Sequence, residues 1–229
     1  LYEIATDWAG FRENLKRNLA DHAGDTEREM DILREVHHAQ VFRLLAQDLS
    51  GLQTIERLSD HLTELADTIV QETLPLCWST IKKRHCETPK FAVIGYGKMG
   101  GKELGYASDL DLVYLYDDDD QEAGENYTRL GQRLNTWLSS QTPAGMLFET
   151  DMRLRPNGDS GLLVVSVDSF REYQLKNAWV WEHQALTRAR FCAGDPAVGQ
   201  RFEEIRCEIL RQPRDLAKLR KKSSPCARR

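Results

Sequence analysis

Asp109 and Asp111 are the residues of this chain best placed to do chemistry. They stand at i and i+2 in Ser108-Asp109-Leu110-Asp111, at the mouth of the apolar run Leu112-Val113-Tyr114-Leu115-Tyr116. Side chains two apart on a strand point to the same face, so the pair offers two carboxylates to one point. Before them comes another apolar run, Phe91 to Ile94, and then a loop holding Gly95, Gly97, Gly100, Gly101 and Gly105. Without Cβ atoms, that backbone can approach an anion closely. Paired carboxylates beside such a loop describe a metal–nucleotide site.

Three phosphate-binding patterns compete for the loop. Gly95-x-Gly97-x-x-Gly100 after a strand matches the dinucleotide fingerprint literally. That motif needs a helix of about ten residues and then a parallel strand. Gly105 interrupts the helix here, the next strand is under way by Asp109, and its acidic start would repel phosphates unless a metal intervened. The P-loop pattern fails, because Tyr96 stands where a glycine is needed before Gly101-Lys102 and Glu103 follows the lysine. The third reading, nucleotidyl transfer, needs loop amides for a triphosphate and acidic side chains for a divalent metal.

A third carboxylate from a neighbouring strand completes a site of that kind. Asp151, at the end of the β-rich run Met146 to Thr150, is the candidate. Mg²⁺ takes oxygen ligands in octahedral geometry, and two such ions can clamp the attacking and leaving oxygens of an in-line displacement. Two aspartates serving only a strand-edge turn would leave the glycines unexplained. Arg153 and Arg155 alternate with Asp151, so on an extended segment all three share a face. The guanidiniums then suit a leaving pyrophosphate, or else salt bridges along the strand.

The elements that must position these residues follow from periodicity. Residues 1–87 read as helical, with apolar positions at three- and four-residue steps from Met30 to Leu49 and again from Ile55 to Leu76. Gly51 between them reads as a helix stop. Phe91–Ile94, Leu112–Tyr116 and Met146–Thr150 read as strands, with Leu162–Val165 as a fourth. Glu125 to Ser140 carries a helical stripe, and the chain turns helical again from Asp168 through Tyr173, Trp181 and Arg190, then from Val198 to Leu210. A small sheet between helical flanks makes the class α+β. The expected division is a helical segment 1–87, a catalytic domain 88–215 and a structureless tail 216–229.

Composition sets outer limits. The chain has 229 residues, 41% hydrophobic and 29% charged, which suits one large or two small domains. No apolar run approaches the roughly 20 residues of a membrane span and no secretory leader is seen, so a cytoplasmic address without membrane contact is expected. A net charge of −5 argues against nucleic acid as a partner. The five cysteines include no C-x-x-C pair, and adjacent His37 and His38 point to different sides of a helix. Both facts argue against zinc. Lys82-Lys83-Arg84-His85 reads as a solvated helix end, Asp117–Asp120 as a solvated acidic loop, and Trp179 and Trp181 as core or interface residues. Leu1 in place of an initiating Met reads as a fragment of something longer.

The motifs become specific when taken together. Gly97-Lys98 followed by Ser108-Asp109-x-Asp111 resembles the G-[GS]-x(n)-[ST]-D-x-[DE] signature of the DNA polymerase β-like nucleotidyltransferases. Lys98 stands where Gly or Ser is usual, either as a phosphate contact or as a solvent-facing side chain. Three longer stretches are similar to the bacterial glutamine synthetase adenylyltransferase family. They are GYGKMGGKELGYASDLDLVYLYD, FETDMRLRPNGDSGLLVVSVDSFREYQLKNAWVWEHQALTRAR and the following Gly194-Asp195-Pro196, and the likeness extends to about residue 215.

The resemblance implies Mg²⁺-dependent transfer of AMP from ATP to a tyrosine hydroxyl of glutamine synthetase, with PII signal protein as a further partner through the full-length enzyme. Asp109 and Asp111 would hold Mg²⁺ on the phosphates and Asp151 would complete the site, with metal coordination or Asp151 acting as a base helping to remove the phenol proton. Gly97 and Lys98 would hold phosphate through their amides, Ser108 through its hydroxyl, and Arg153 and Arg155 through their guanidiniums. The family has two catalytic halves, and Ala178 to Leu186 with Gly95-Tyr96-Gly97 is more like the adenylylating one. The sibling half, which removes AMP by phosphorolysis, and a non-catalytic binding fragment stand as alternatives. The charged helix expected after Arg220 is absent from the pattern of 221–229.

Overall fold

Three helices come first in the computed structural model, which describes residues 6–213; the tail expected at 216–229 lies outside the described residues. They are α1 (Trp8–Ala20), α2 (Thr26–Leu49) and α3 (Ile55–Ser79). Each opens on a polar side chain that accepts a first-turn amide: Asp7 from Gly10, Asp25 from Arg28, Thr54 from Arg57. Such caps satisfy donors that a helix start leaves orphaned. Between α2 and α3 Gly51 adopts φ of +68°, the left-handed conformation that ends helices and that the sequence predicts there.

The mixed sheet follows. Its strands are β1 (Phe91–Gly95), β2 (Leu110–Tyr116), β3 (Thr150–Asp151), β4 (Val164–Ser166) and β5 (Arg190–Gly194). The order is β3-β2-β1-β5, with β4 pairing β2 beyond β3. β1 pairs antiparallel with β2 and with β5, whereas β3 and β4 run parallel to β2. The glycine loop between β1 and β2 holds only the one-turn helix α4 (Gly97–Gly100). An antiparallel pair joined this way is not the parallel strand–helix–strand unit of a dinucleotide fold, so that reading of the glycines falls.

Alternation splits the core into two layers. Phe91, Val93, Leu110, Leu112 and Tyr114 face α1–α3 and α5 (Ala123–Ser139). Ala92, Ile94, Val113 and Leu115 face α6 (Val167–Lys176), α7 (Val180–Leu186) and α8 (Pro196–Leu210). Asp109 and Asp111 share the parity of Val113 and Leu115, so they belong to the second face. The N-terminal helices are tied to the sheet layer by a fully buried arginine. Arg34 of α2 donates to the carbonyls of Gly145, Trp137 and Ser140 at 2.8, 2.9 and 2.8 Å. No helix among the described residues is long and apolar enough to cross a membrane.

Several expectations are corrected. The run 146–150 joins the sheet only at its end: Phe148 N donates to Leu138 O and His38 Nε2 lies 3.1 Å from Met146 O, so the backbone up to Phe148 is spent on helices, and Glu149 O is the first group to accept from β2, from Leu110 N. Only Thr150 and Asp151 pair with β2. Arg190 is the first residue of strand β5, not a helix residue, because the edge of β1 is open to it. Leu162 is 72% exposed and precedes β4. The acidic loop is not wholly solvated. Asp118 is buried with His85, Tyr127 and Lys90 on its carboxylate, and Asp117 receives Arg201. Burial opposes ionisation of Asp118, but these hydrogen bonds, that of His85 first, bring its pKa down to about 2. Trp179 and Trp181 are exposed, so they are not core residues.

Candidate metal and nucleotide site

The site begins with strand register. Asp111 lies directly opposite Asp151 in the parallel β2–β3 pair, so a strand of two residues suffices to deliver the third carboxylate. One ligand oxygen from each of Asp109, Asp111 and Asp151 lies within 4.8 Å of the other two. Three acids this close are a repulsive arrangement. The carboxyl of Asp111 is pushed above the usual range by burial first, then by the charges of Asp109 and Asp151. Asp151 moves the other way, because the Arg153 guanidinium hydrogen-bonds it from 2.8 Å. An all-oxygen set with surplus negative charge fits a hard divalent cation such as Mg²⁺.

The glycine loop is built against this trio. Gly97 adopts φ of +53°, and a Cβ there would lie 2.1 Å from Asp111 Oδ2. Only glycine lets the backbone pass so close in that conformation. Tyr96 N donates to Asp111 O at 2.8 Å, which pins the loop's entry to β2. Gly100 meets the backbone of Arg188, whose carbonyl oxygen would be 1.8 Å from a Cβ at that position. By helix geometry the first amides of α4 have no partner within the helix, so they are free for an anion. Lys98 is exposed, and its charge favours ionisation of Asp111.

Other expected site residues fall less neatly. Ser108 Oγ accepts from Gly105 N at 2.9 Å and closes the turn that delivers Asp109. Arg153 is exposed and faces Asp151, whereas Arg155 does not share that face. The chain leaves the extended conformation after Asp151 and turns again at Asn157 and Gly158, with φ of +62° and +54°. Arg155 is folded into this loop, donating to Met152 O at 2.7 Å. It holds the loop together instead of pointing at the acids.

Other residues around the loop have a spacing that by itself says no more than charged helix positions. Arg188 places its guanidinium over Gly101, ion-paired with Glu103. Asp67 of α3 pairs with Arg190 beneath the loop. Glu182 is buried, its carboxylate accepting from Trp179 N and from Tyr173 Oη at 2.6 and 2.8 Å. As the third residue of α7 it accepts the amide of the residue before the helix, and through Tyr173 it ties α7 to α6. His85, Cys86 and Asp118 form a second cluster of donor atoms, already tied up with Lys90 and Tyr127.

The known proteins to which this chain is similar share one description. A family model described as glutamate-ammonia ligase adenylyltransferase matches residues 2–205. A bifunctional glutamine synthetase adenylyltransferase/adenylyl-removing enzyme of Aromatoleum aromaticum is 65% identical over 218 residues, covering 95% of this chain and 23% of that protein. Proteins of the same description from Ralstonia nicotianae and Chromobacterium violaceum are 56% and 57% identical, over 94% of this chain in each case and 23% and 24% of theirs. The chain thus spans about a quarter of the length of these relatives.

Proposed function

Because the chain belongs to the glutamate-ammonia ligase adenylyltransferase family, we propose that it transfers AMP from ATP to a tyrosine hydroxyl of glutamine synthetase. The observation that carries this reading is the convergence of Asp109, Asp111 and Asp151 beside the left-handed turn at Gly97. Mg²⁺ held by the three carboxylates would neutralise the phosphate charge and align the α-phosphorus. The amides at Gly97 and Lys98, the Lys98 ammonium and the Ser108 hydroxyl would hold the triphosphate. Arg153 would release Asp151 to meet the departing pyrophosphate, on a loop that Arg155 keeps folded.

In the step itself the tyrosine oxygen bonds to the α-phosphorus and the bond to the bridging oxygen of pyrophosphate breaks. The phenol has an ordinary pKa near 10, so its proton must go to a base as the bond forms, and Asp151 is the carboxylate assigned to it. Residues 88–215 form the catalytic unit in this reading, with 1–87 as its helical support.

The test is incubation with glutamine synthetase, Mg²⁺ and α-labelled ATP. Label on the target protein is the expected result. Asp109→Asn and Asp111→Asn should each lower the transfer rate by about 10²–10³-fold while the protein stays folded. Near-normal transfer by either variant would sink the assignment. ADP released from pre-modified target with phosphate would assign the adenylyl-removing direction instead, and nucleotide binding without turnover would mark a binding fragment.

A further inference from the structure

Beneath the glycine loop lies a polar contact that links the helical layer to the site. Arg190, at the start of β5, meets Asp67 of α3 with both terminal nitrogens, Nη2 at 2.9 Å from Oδ1 and Nη1 at 2.8 Å from Oδ2. The same Nη2 donates to the carbonyl of Met99, inside α4, at 3.1 Å. Both side chains are about one-fifth exposed. Two residues before Arg190, the backbone of Arg188 presses on Gly100. Further along β5, Gly194 N donates to Gln71 Oε1 of α3 at 2.9 Å, so α3 grips this strand twice.

The loop's own hydrogen bonds, Gly100 N to Tyr96 O and Gly101 N to Gly97 O, are internal and cannot set its distance from β2. On the carboxylate side the Tyr96–Asp111 bond sets it, and on the far side the guanidinium of Arg190 does. We infer that Asp67 and Arg190 are positioning residues, a strut from α3 that holds the glycine loop where its amides can receive a triphosphate. The inference rests on the functional reading above. It needs the planar fork of arginine, since one arm system must serve a carboxylate and a carbonyl together. A lysine ammonium keeps the charge but not that geometry.

The experiment compares the full chain with Arg190→Lys, Arg190→Met and the double variant Asp67→Asn with Arg190→Met. The double variant leaves no orphaned buried carboxylate, so it guards against simple misfolding. Two readouts are taken: amide hydrogen exchange along residues 91–102, and equilibrium affinity for MgATP. In Arg190→Met and in the double variant the Gly100 and Gly101 amides should exchange about tenfold faster, with Val93 and Ile94 unchanged. MgATP affinity should fall by about tenfold in both, and Arg190→Lys should fall between them and wild type.

Loop exchange and MgATP affinity both within about twofold of wild type in the double variant would overturn the inference. So would equal acceleration of the strand and the loop, which is the mark of a merely structural role. If the loop loosens as expected but the wild-type chain binds no MgATP, the nucleotide reading fails while the strut's hold on the loop stands.

Discussion

Gly97→Ala is the sharpest probe of the site, because the structure supplies both terms of its cost. The backbone there has φ of +53°, and a Cβ would stand 2.1 Å from Asp111 Oδ2. Holding an alanine in the left-handed region costs about 1–2 kcal/mol. A carbon–oxygen contact relaxes only beyond about 3 Å, so loop and carboxylate must separate by roughly 1 Å. Misplacing a reacting group by that much can cost about 10²-fold in rate. The expected outcome is a melting temperature lower by about 2–8 °C and kcat/KM for AMP transfer lower by about 10²-fold. Gly105→Ala is the matched control: its nearest neighbour would be Ser108 Oγ at 3.7 Å, and its φ is not positive. That variant should keep wild-type activity. Thermal unfolding and the labelled-ATP assay read both quantities. A Gly97→Ala protein retaining half of the wild-type kcat/KM would refute the placement of this turn against Asp111.

Two further predictions concern stability. Burial, with the charge of His38 second, lowers the His37 pKa from 6.5 to about 4. The unfolded chain then binds more protons between those values, so stability is full above about pH 6.5 and falls by about 3 kcal/mol as pH drops through 4. His37→Phe should flatten that limb in urea titrations across pH, and an unchanged limb would show that another group sets it. Arg34→Met should cost about 3–5 kcal/mol, because buried carbonyls of Gly145, Trp137 and Ser140 lose their donor. Arg34→Lys should recover part of that loss, and a Met variant as stable as wild type would mean the carbonyls find other partners.

How far the sequence carried depends on whether the deciding interaction is local. The Asp109–Asp111 pair was legible because the two-residue period of a strand is local, and the break at Gly51 because left-handed backbone favours glycine. The α+β class followed from the same periodicities and holds in the structure. Arg155 was misplaced because it was read as part of a strand that stops after two residues. The turn signal was present immediately after it, in Pro156-Asn157-Gly158, and should have outweighed the alternation. β5 was hidden because Arg188 and Arg190 were read as charged positions of a continuing helix, while a strand at this edge is decided by the distant β1. Asp67 was invisible for a related reason. Its partners lie more than a hundred positions away, and nothing in α3 distinguishes it from a solvated acid.

The way β2 shares one flank between two short partners has a consequence for variation. β3 takes Leu110 and Asp111, β4 takes Tyr114 to Tyr116, and the chain between them leaves the sheet and returns. Residues 152–163 are therefore bracketed by fixed pairings at both ends, and lengthening a surface excursion adds little closure entropy. Insertions or replacements confined to 157–162, past Arg153 and Arg155, can reshape the border of the carboxylate trio without moving a ligand oxygen.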